Sequence, residues 1–180
     1  MKTPAFIFNL FCGLLLLNAC QQSGQNDQAE AHLTDTASHV ISEPAVLADT
    51  AIAAIYSNYL QLKDALVASD AATAQSHAAT LQSALQQVEG CETTAAIAGR
   101  ISAESALAGQ REDFTVLSAD IIALLKGADL IDGKIFVQYC PMANENEGGY
   151  WLASENQIRN PYYGSKMMAC GEVKETLAAK

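Results

Sequence analysis

Apolar side chains recur every three or four residues through four successive segments of this chain. The segments are residues 45–69, 71–89, 91–101 and 103–126. In the first of them the apolar positions are Ile52, Ile55, Tyr59, Leu62 and Leu66. Because this spacing places apolar side chains on one face of a helix, each helix has to bury that face against a neighbour. Asp70 is a typical N-cap, and Gly90 and Gly127 are typical helix ends. Short connections between the segments therefore predict an up-down four-helix bundle.

The periodicity changes after Gly127. Residues 134–139 are rich in β-branched and aromatic side chains, which favours a strand. Residues 150–152 are expected to form the returning strand of a β-hairpin. Residues 167–170 are expected to form either a helical turn or a third short strand. The predicted fold class is therefore mainly α, with the four-helix bundle followed by a small C-terminal segment of hairpin and loop.

The first 19 residues are typical of a secretion signal. Lys2 supplies the positive start, and residues 6–17 form an apolar core too short to span a bilayer. The residues Leu-Asn-Ala before Cys20 resemble a bacterial lipoprotein processing site. We therefore expect residues 1–19 to be removed and Cys20 to be lipidated, with an ordinary signal peptide as the alternative.

The residues after Cys20 divide into a tether and a domain. Residues 20–44 are polar and lack an apolar period, which predicts a flexible tether. Residues 45–180 are numerous enough to form a single domain with its own core. Because Gln21 is not an aspartate, retention in the inner membrane is not indicated. We expect a protein that faces the periplasm, anchored in the outer membrane.

Composition argues against two classes of function. The chain has 20 acidic and 10 basic residues, a formal net charge of -10. This balance argues against nucleic-acid binding, which needs basic surfaces to neutralise phosphates. The three histidines lie in the tether or the second helix, so no cysteine–histidine pair suited to nucleophilic catalysis is apparent. We therefore do not predict an enzyme.

The most distinctive chemistry lies in residues 134–173, which we call the Cys/Met box. Cys140 and Met142 flank a proline, and Met167 and Cys170 are three residues apart. Thiolates and thioethers are soft ligands that favour Cu(I) over harder cations. Zinc is less favoured, because methionine is a poor zinc ligand and the box has no histidine. If the two halves of the box face each other, these four sulfurs form a site for Cu(I) or Ag(I).

The same residues allow plainer interpretations. In an oxidising compartment Cys140 and Cys170 can form a disulfide that stabilises the segment by roughly 2–4 kcal/mol. Methionines often fill gaps in a core, a role open to Met168. Cys91 follows a helix-ending glycine and is expected to be a lone buried thiol. The box aromatics would then be packing or contact residues of a structural module.

Three stretches of the box resemble the signature of an uncharacterised protein family. They are residues 137–143 (Val-Gln-Tyr-Cys-Pro-Met-Ala), 150–152 (Tyr-Trp-Leu) and 160–171 (Asn-Pro-Tyr-Tyr-Gly-Ser-Lys-Met-Met-Ala-Cys-Gly). The upstream residues Arg111, Phe114, Leu117 and Ser118 also resemble it. The family is a domain of unknown function that occurs alone in exported proteins of Gram-negative bacteria. It is also appended to periplasmic adaptor subunits of heavy-metal efflux pumps of the copper/silver type.

The resemblance implies a helical domain associated with copper or silver handling. Cys140, Met142, Met167 and Cys170 match its box position by position, whereas Met168 stands where an aliphatic residue is usual. We therefore expect a lipid-anchored periplasmic protein that binds Cu(I) or Ag(I) and works with an efflux adaptor or pump in heavy-metal tolerance. The alternative is a module without metal, stapled by a Cys140–Cys170 disulfide.

Overall fold

Four long helices follow one another in the computed structural model, which describes residues 44–179. They are α1 (Thr50–Ala68), α2 (Ala71–Leu85), α3 (Glu92–Ala103) and α4 (Leu107–Gly127). Each helix packs against the next one along the chain. None of the helices in the described part has the length and apolar character needed to cross a membrane. The mainly helical class predicted from the apolar periodicity is confirmed.

The start of α1 differs from the predicted boundary. The helix begins at Thr50, because the side chain of Asp49 caps it by accepting hydrogen bonds from the Ala51 and Ile52 amides at 2.7 and 3.2 Å. The residues just before the cap form a short strand, β1 (Val46–Leu47), which pairs antiparallel with β2 (Leu130–Asp132). This two-residue pairing is too short to leave a periodic signal in the sequence.

A second, three-stranded sheet follows the helices. Its strands are β3 (Lys134–Cys140), β4 (Gly149–Ala153) and β5 (Glu172–Ala178), in the order β4-β3-β5, with both pairs antiparallel. The predicted hairpin of β3 and β4 is therefore present. The expected helical turn or strand at residues 167–170 was wrong, because a 3₁₀ turn ends at Lys166 and β5 begins only at Glu172.

The sheet shares one hydrophobic core with the helices. Tyr59 of α1 stacks on Phe114 of α4, with 5.5 Å between ring centroids. The Tyr59 hydroxyl lies 2.8 Å from the Ser118 hydroxyl and accepts a hydrogen bond from the Leu152 amide at 3.1 Å. Trp151 and Leu152 on β4 are fully buried. The box is therefore built into the domain core.

Residues 154–171, which we call the covering segment, contact both the sheet and the helices. The side-chain amide of Gln138 on β3 donates to the carbonyls of Glu155 and Gln157 at 2.8 and 3.2 Å. Glu155 also pairs with the buried Lys63 of α1 at 3.2 Å. These contacts fix the first part of the covering segment between the sheet and α1.

Candidate functional site

The structure brings Cys140 and Cys170 together. Cys140 is the last residue of β3, and Cys170 lies two residues before β5, which pairs with β3. Their sulfurs are 2.9 Å apart although the residues are separated by 30 positions in the chain. The Cys140 side chain is fully buried and Cys170 is half-buried. We call these residues the thiol pair.

Two aromatic rings lie against the backbone beside the thiol pair. The cross-strand partner of Cys140 is Gly149, and a Cβ there would lie only 2.6 Å from the Tyr162 ring. The glycine therefore lets that ring approach the sheet beside Cys140. Next to Cys170, a Cβ on Gly171 would lie 2.9 Å from the Trp151 indole. Tyr162 and Trp151 meet edge to face with 6.0 Å between ring centroids, and both side chains are buried.

The methionines of the box lie closer to the surface. Met142 is 42% exposed, and its carbonyl accepts a hydrogen bond from the Tyr163 hydroxyl. Met167 is half-buried, and its carbonyl accepts from the Cys170 amide at 3.1 Å. Met168 is 36% exposed. The expected alignment of Met167 and Cys170 on one helical turn was wrong, because Met167 has a φ of −147° and lies outside the 3₁₀ turn.

Two of the thiols, Cys170 and Cys91, have raised pKa values. The pKa of Cys170 is raised, first by its hydrogen bond with Cys140 and then by burial. Burial also raises the pKa of Cys91, with smaller contributions from the Glu92 and Asp120 carboxylates. Cys91 lies just before α3 and is buried, as expected for a lone thiol. A metal ion that binds Cys170 therefore has to displace a proton.

The donor set fits a soft ion. Among residues 44–179, no three His, Cys, Asp or Glu side chains cluster so that they could hold a metal. A metal at the thiol pair would have two thiolates as its charged ligands. This is the ligand chemistry that Cu(I) accepts. Cys20, the predicted lipidation site, lies outside the described residues, as do the signal and almost all of the tether.

Asn160 is an important residue that sequence reasoning missed. Its side chain is fully buried and donates to the Cys170 carbonyl at 2.9 Å. Its side-chain oxygen accepts from the Tyr162 and Tyr163 amides at 2.8 and 3.3 Å. The Asn-Pro dipeptide does signal a turn of this kind. The hydrogen bond from its side-chain amide to Cys170, ten residues away, cannot be predicted from the local sequence.

Fold and site together define a small, mainly helical domain in which a C-terminal covering segment brings the thiol of Cys170 against the buried thiol of Cys140. Residues 55–133 match a family described as a protein of unknown function, DUF3347. The match confirms the resemblance to an uncharacterised family over α1 to β2. It ends at Gly133, directly before β3, so the Cys/Met box lies beyond the matched residues. No curated protein and no solved structure matches the chain.

Proposed function

We propose that this protein binds a single soft metal ion, Cu(I) or Ag(I), through the sulfurs of Cys140 and Cys170. The observation that carries the proposal is the 2.9 Å approach of these two sulfurs, at the end of β3 and just before β5. Thiolates are the ligands that select Cu(I) most strongly among protein side chains. Met142 and Met167, two and three residues away in sequence, are the proposed additional ligands.

The site has to open slightly to take an ion. Two thiolates that share one ion, each about 2.3 Å from it, lie at most about 4.6 Å apart. Cys140 is held within β3, whereas Cys170 lies in the covering segment and is half-buried. A small outward shift of Cys170 is therefore the movement we propose for loading. The exposed thioether of Met142 offers the first contact for an incoming ion.

The cellular setting follows from the sequence and the family resemblance. We propose an exported lipoprotein, anchored at Cys20 in the outer membrane, with residues 20–44 as a tether for the domain. Its role is to bind the ion and pass it to a periplasmic efflux adaptor or pump, rather than to catalyse a reaction. We also infer that the four helices run in up-down order, since each packs against its successor across a short connection.

The same geometry favours a second candidate. A bond between Cys140 and Cys170 needs the sulfurs to close only from 2.9 Å to about 2.05 Å. The protein would then be a disulfide-stapled module of the cell envelope without metal. Its exposed aromatics support such a role: Tyr150 is 46% exposed and packs on Tyr139 at 4.5 Å between centroids.

A competition titration separates the two candidates. The purified protein is reduced without oxygen and titrated with Cu(I) against a chromophoric chelator. We expect one ion per chain, with affinity lost in Cys140→Ser and weakened in Met167→Leu. Matched controls are Cys91→Ser, a buried thiol at α3, and Met168→Leu, the neighbouring surface methionine. Failure of the wild type to compete would exclude the metal site.

The thiol state of the protein in cells provides the complementary result. Free thiols are alkylated at lysis, and peptides carrying Cys140 and Cys170 are measured by mass spectrometry. A complete Cys140–Cys170 disulfide in protein that also fails the titration would establish the stapled module. Reduced thiols with bound metal would support the binding protein.

A further inference from the structure

We propose that Asn160 is the positioning residue that holds Cys170 against Cys140. The importance of this role rests on the proposed metal site, because the role is to keep the two sulfur ligands together. The approach of the two thiols can nevertheless be measured with no metal present, so the two proposals can fail separately.

One group of Asn160 contacts fixes the chain around Cys170. The Asn160 side-chain amide donates to the Cys170 carbonyl at 2.9 Å, and its backbone amide donates to the Met168 carbonyl at 3.0 Å. The Cys170 amide is itself bonded to the Met167 carbonyl at 3.1 Å. Asn160 therefore fixes the backbone near Cys170 through hydrogen bonds to the carbonyls of Met168 and Cys170.

A second group of contacts fixes the aromatic residues beside the thiol pair. The side-chain oxygen of Asn160 accepts from the amides of Tyr162 and Tyr163. The Tyr162 hydroxyl then donates to the Tyr150 carbonyl on β4 at 2.8 Å, and the Tyr163 hydroxyl donates to the Met142 carbonyl. Through these two tyrosines, Asn160 also ties the covering segment to the residues that follow Cys140.

The chemistry of the position calls for an amide. Asn160 has no solvent exposure and uses a donor toward Cys170 and an acceptor toward the two tyrosine amides. An aspartate keeps the acceptor but places a carboxylate oxygen against the Cys170 carbonyl. A serine keeps a shorter acceptor for the turn and cannot reach Cys170. Both variants therefore remove the hydrogen bond to the Cys170 carbonyl while leaving an acceptor near the tyrosine amides.

The test measures how readily the two thiols form a bond. The metal-free protein is equilibrated with reduced and oxidised glutathione, and peptides with Cys140 and Cys170 are quantified after alkylation. In this exchange one glutathione disulfide breaks, the Cys140–Cys170 bond forms, and the two thiol protons leave with two glutathione thiols. The equilibrium constant reports the proximity of the two cysteines.

We expect Asn160→Asp and Asn160→Ser to lower this constant on the order of tenfold, the equivalent of one buried hydrogen bond. Asn156→Ser, an exposed asparagine of the same covering segment, should leave it unchanged. Far-UV circular dichroism at the assay temperature shows which variants are folded, and Asn160→Ser decides the matter if the aspartate variant unfolds.

A purely structural role gives a different result. Asn160→Ser would then lower the thermal midpoint of the reduced protein but leave the constant of the folded protein within twofold of wild type. That result would overturn the positioning role. A lowered constant with normal Cu(I) binding would keep the positioning role and remove its importance for the metal.

Discussion

At the scale of single residues, the proton on Cys170 competes with any metal. Its raised pKa comes first from the hydrogen bond with Cys140 and then from burial. A thiol in this state is a weak nucleophile, because the thiolate is the reactive form. The role that we propose for the pair is metal binding, in which the ion itself drives deprotonation.

We expect the affinity for Cu(I) to increase with pH. Below the pKa of Cys170 each bound ion has to displace its proton, so the apparent affinity rises by about tenfold per pH unit for each proton released. The rise should level off only above the raised pKa. The chelator competition repeated from about pH 6 to about pH 8 measures the slope. A flat profile would contradict thiol ligation.

The identities of the sulfur residues were accessible from sequence, but their arrangement was only partly so. The sequence left open whether Cys140 and Cys170 face each other, and the antiparallel pairing of β3 with β5 brings them together. The predicted helical geometry of Met167 was wrong, because the chain leaves the 3₁₀ turn before it. The part played by Asn160 depends on contacts ten residues apart, which no local pattern encodes.

At the scale of elements, the covering segment is bound to the helices through Arg111 on α4. The Arg111 guanidinium donates to the Pro161 carbonyl at 2.8 Å, to the Leu66 carbonyl at 3.0 Å and to the Ser69 hydroxyl at 2.9 Å. One side chain therefore joins α4, the end of α1 and the turn that carries Tyr162. Burial lowers the pKa of Arg111, which reflects this half-enclosed position.

We expect Arg111→Met to lower the free energy of unfolding by about 2–3 kcal/mol. The substitution keeps an unbranched side chain of similar reach but removes the donor to the Pro161 carbonyl and one of the two donors to the Leu66 carbonyl, which also accepts from the Ser69 amide. Arg100→Met is the matched control, because Arg100 is 55% exposed and bonds only to Asp113. Urea unfolding measures both. Equal losses in the two variants would contradict the linking role of Arg111.

Gly164 supports the same junction. Its φ is +56°, and a Cβ there would collide with the Ser69 hydroxyl and lie 2.8 Å from the Val67 carbonyl. We expect Gly164→Ala to cost at least about 2 kcal/mol, from left-handed strain and this contact. Gly127→Ala, at the end of α4 with nothing within 4 Å of the added Cβ, should cost little. Thermal unfolding of both variants tests this difference.

Elements with a clear apolar pattern were predictable, and elements without such a pattern were not. The apolar faces of α1 to α4 extend over several helical turns, so the apolar period of each helix is clear in the sequence. The two-residue strand β1 depends entirely on its partner β2. Six of the seven residues of β5 are exposed, so no alternation of apolar and polar side chains marks it as a strand. Pairing partners far away in the chain decide both elements.

At the scale of the whole molecule, the helices and the box share one hydrophobic core. The hydrophobic core includes residues of α1 to α4 together with Ile135, Val137, Trp151 and Leu152 of the sheet. The family match ends at Gly133, yet the core continues across this point. We therefore expect the described domain to fold as a unit, with the helices and the box sharing this core.

We expect unfolding to be a single transition by two independent signals. Trp151 is the only tryptophan of the chain and is fully buried on β4, so its fluorescence reports on the box. Far-UV circular dichroism reports mainly on the four helices. The two curves in urea should coincide for the reduced protein. Earlier loss of the tryptophan signal would show that the box unfolds separately.

The most direct test of the proposed function is X-ray absorption spectroscopy at the copper edge of the Cu(I)-loaded protein. We expect a first shell made of sulfur alone, with fewer sulfur ligands in Cys140→Ser and an unchanged shell in Cys91→Ser. A shell of nitrogen and oxygen donors, or a wild-type spectrum that Cys140→Ser leaves unchanged, would contradict metal binding by the thiol pair.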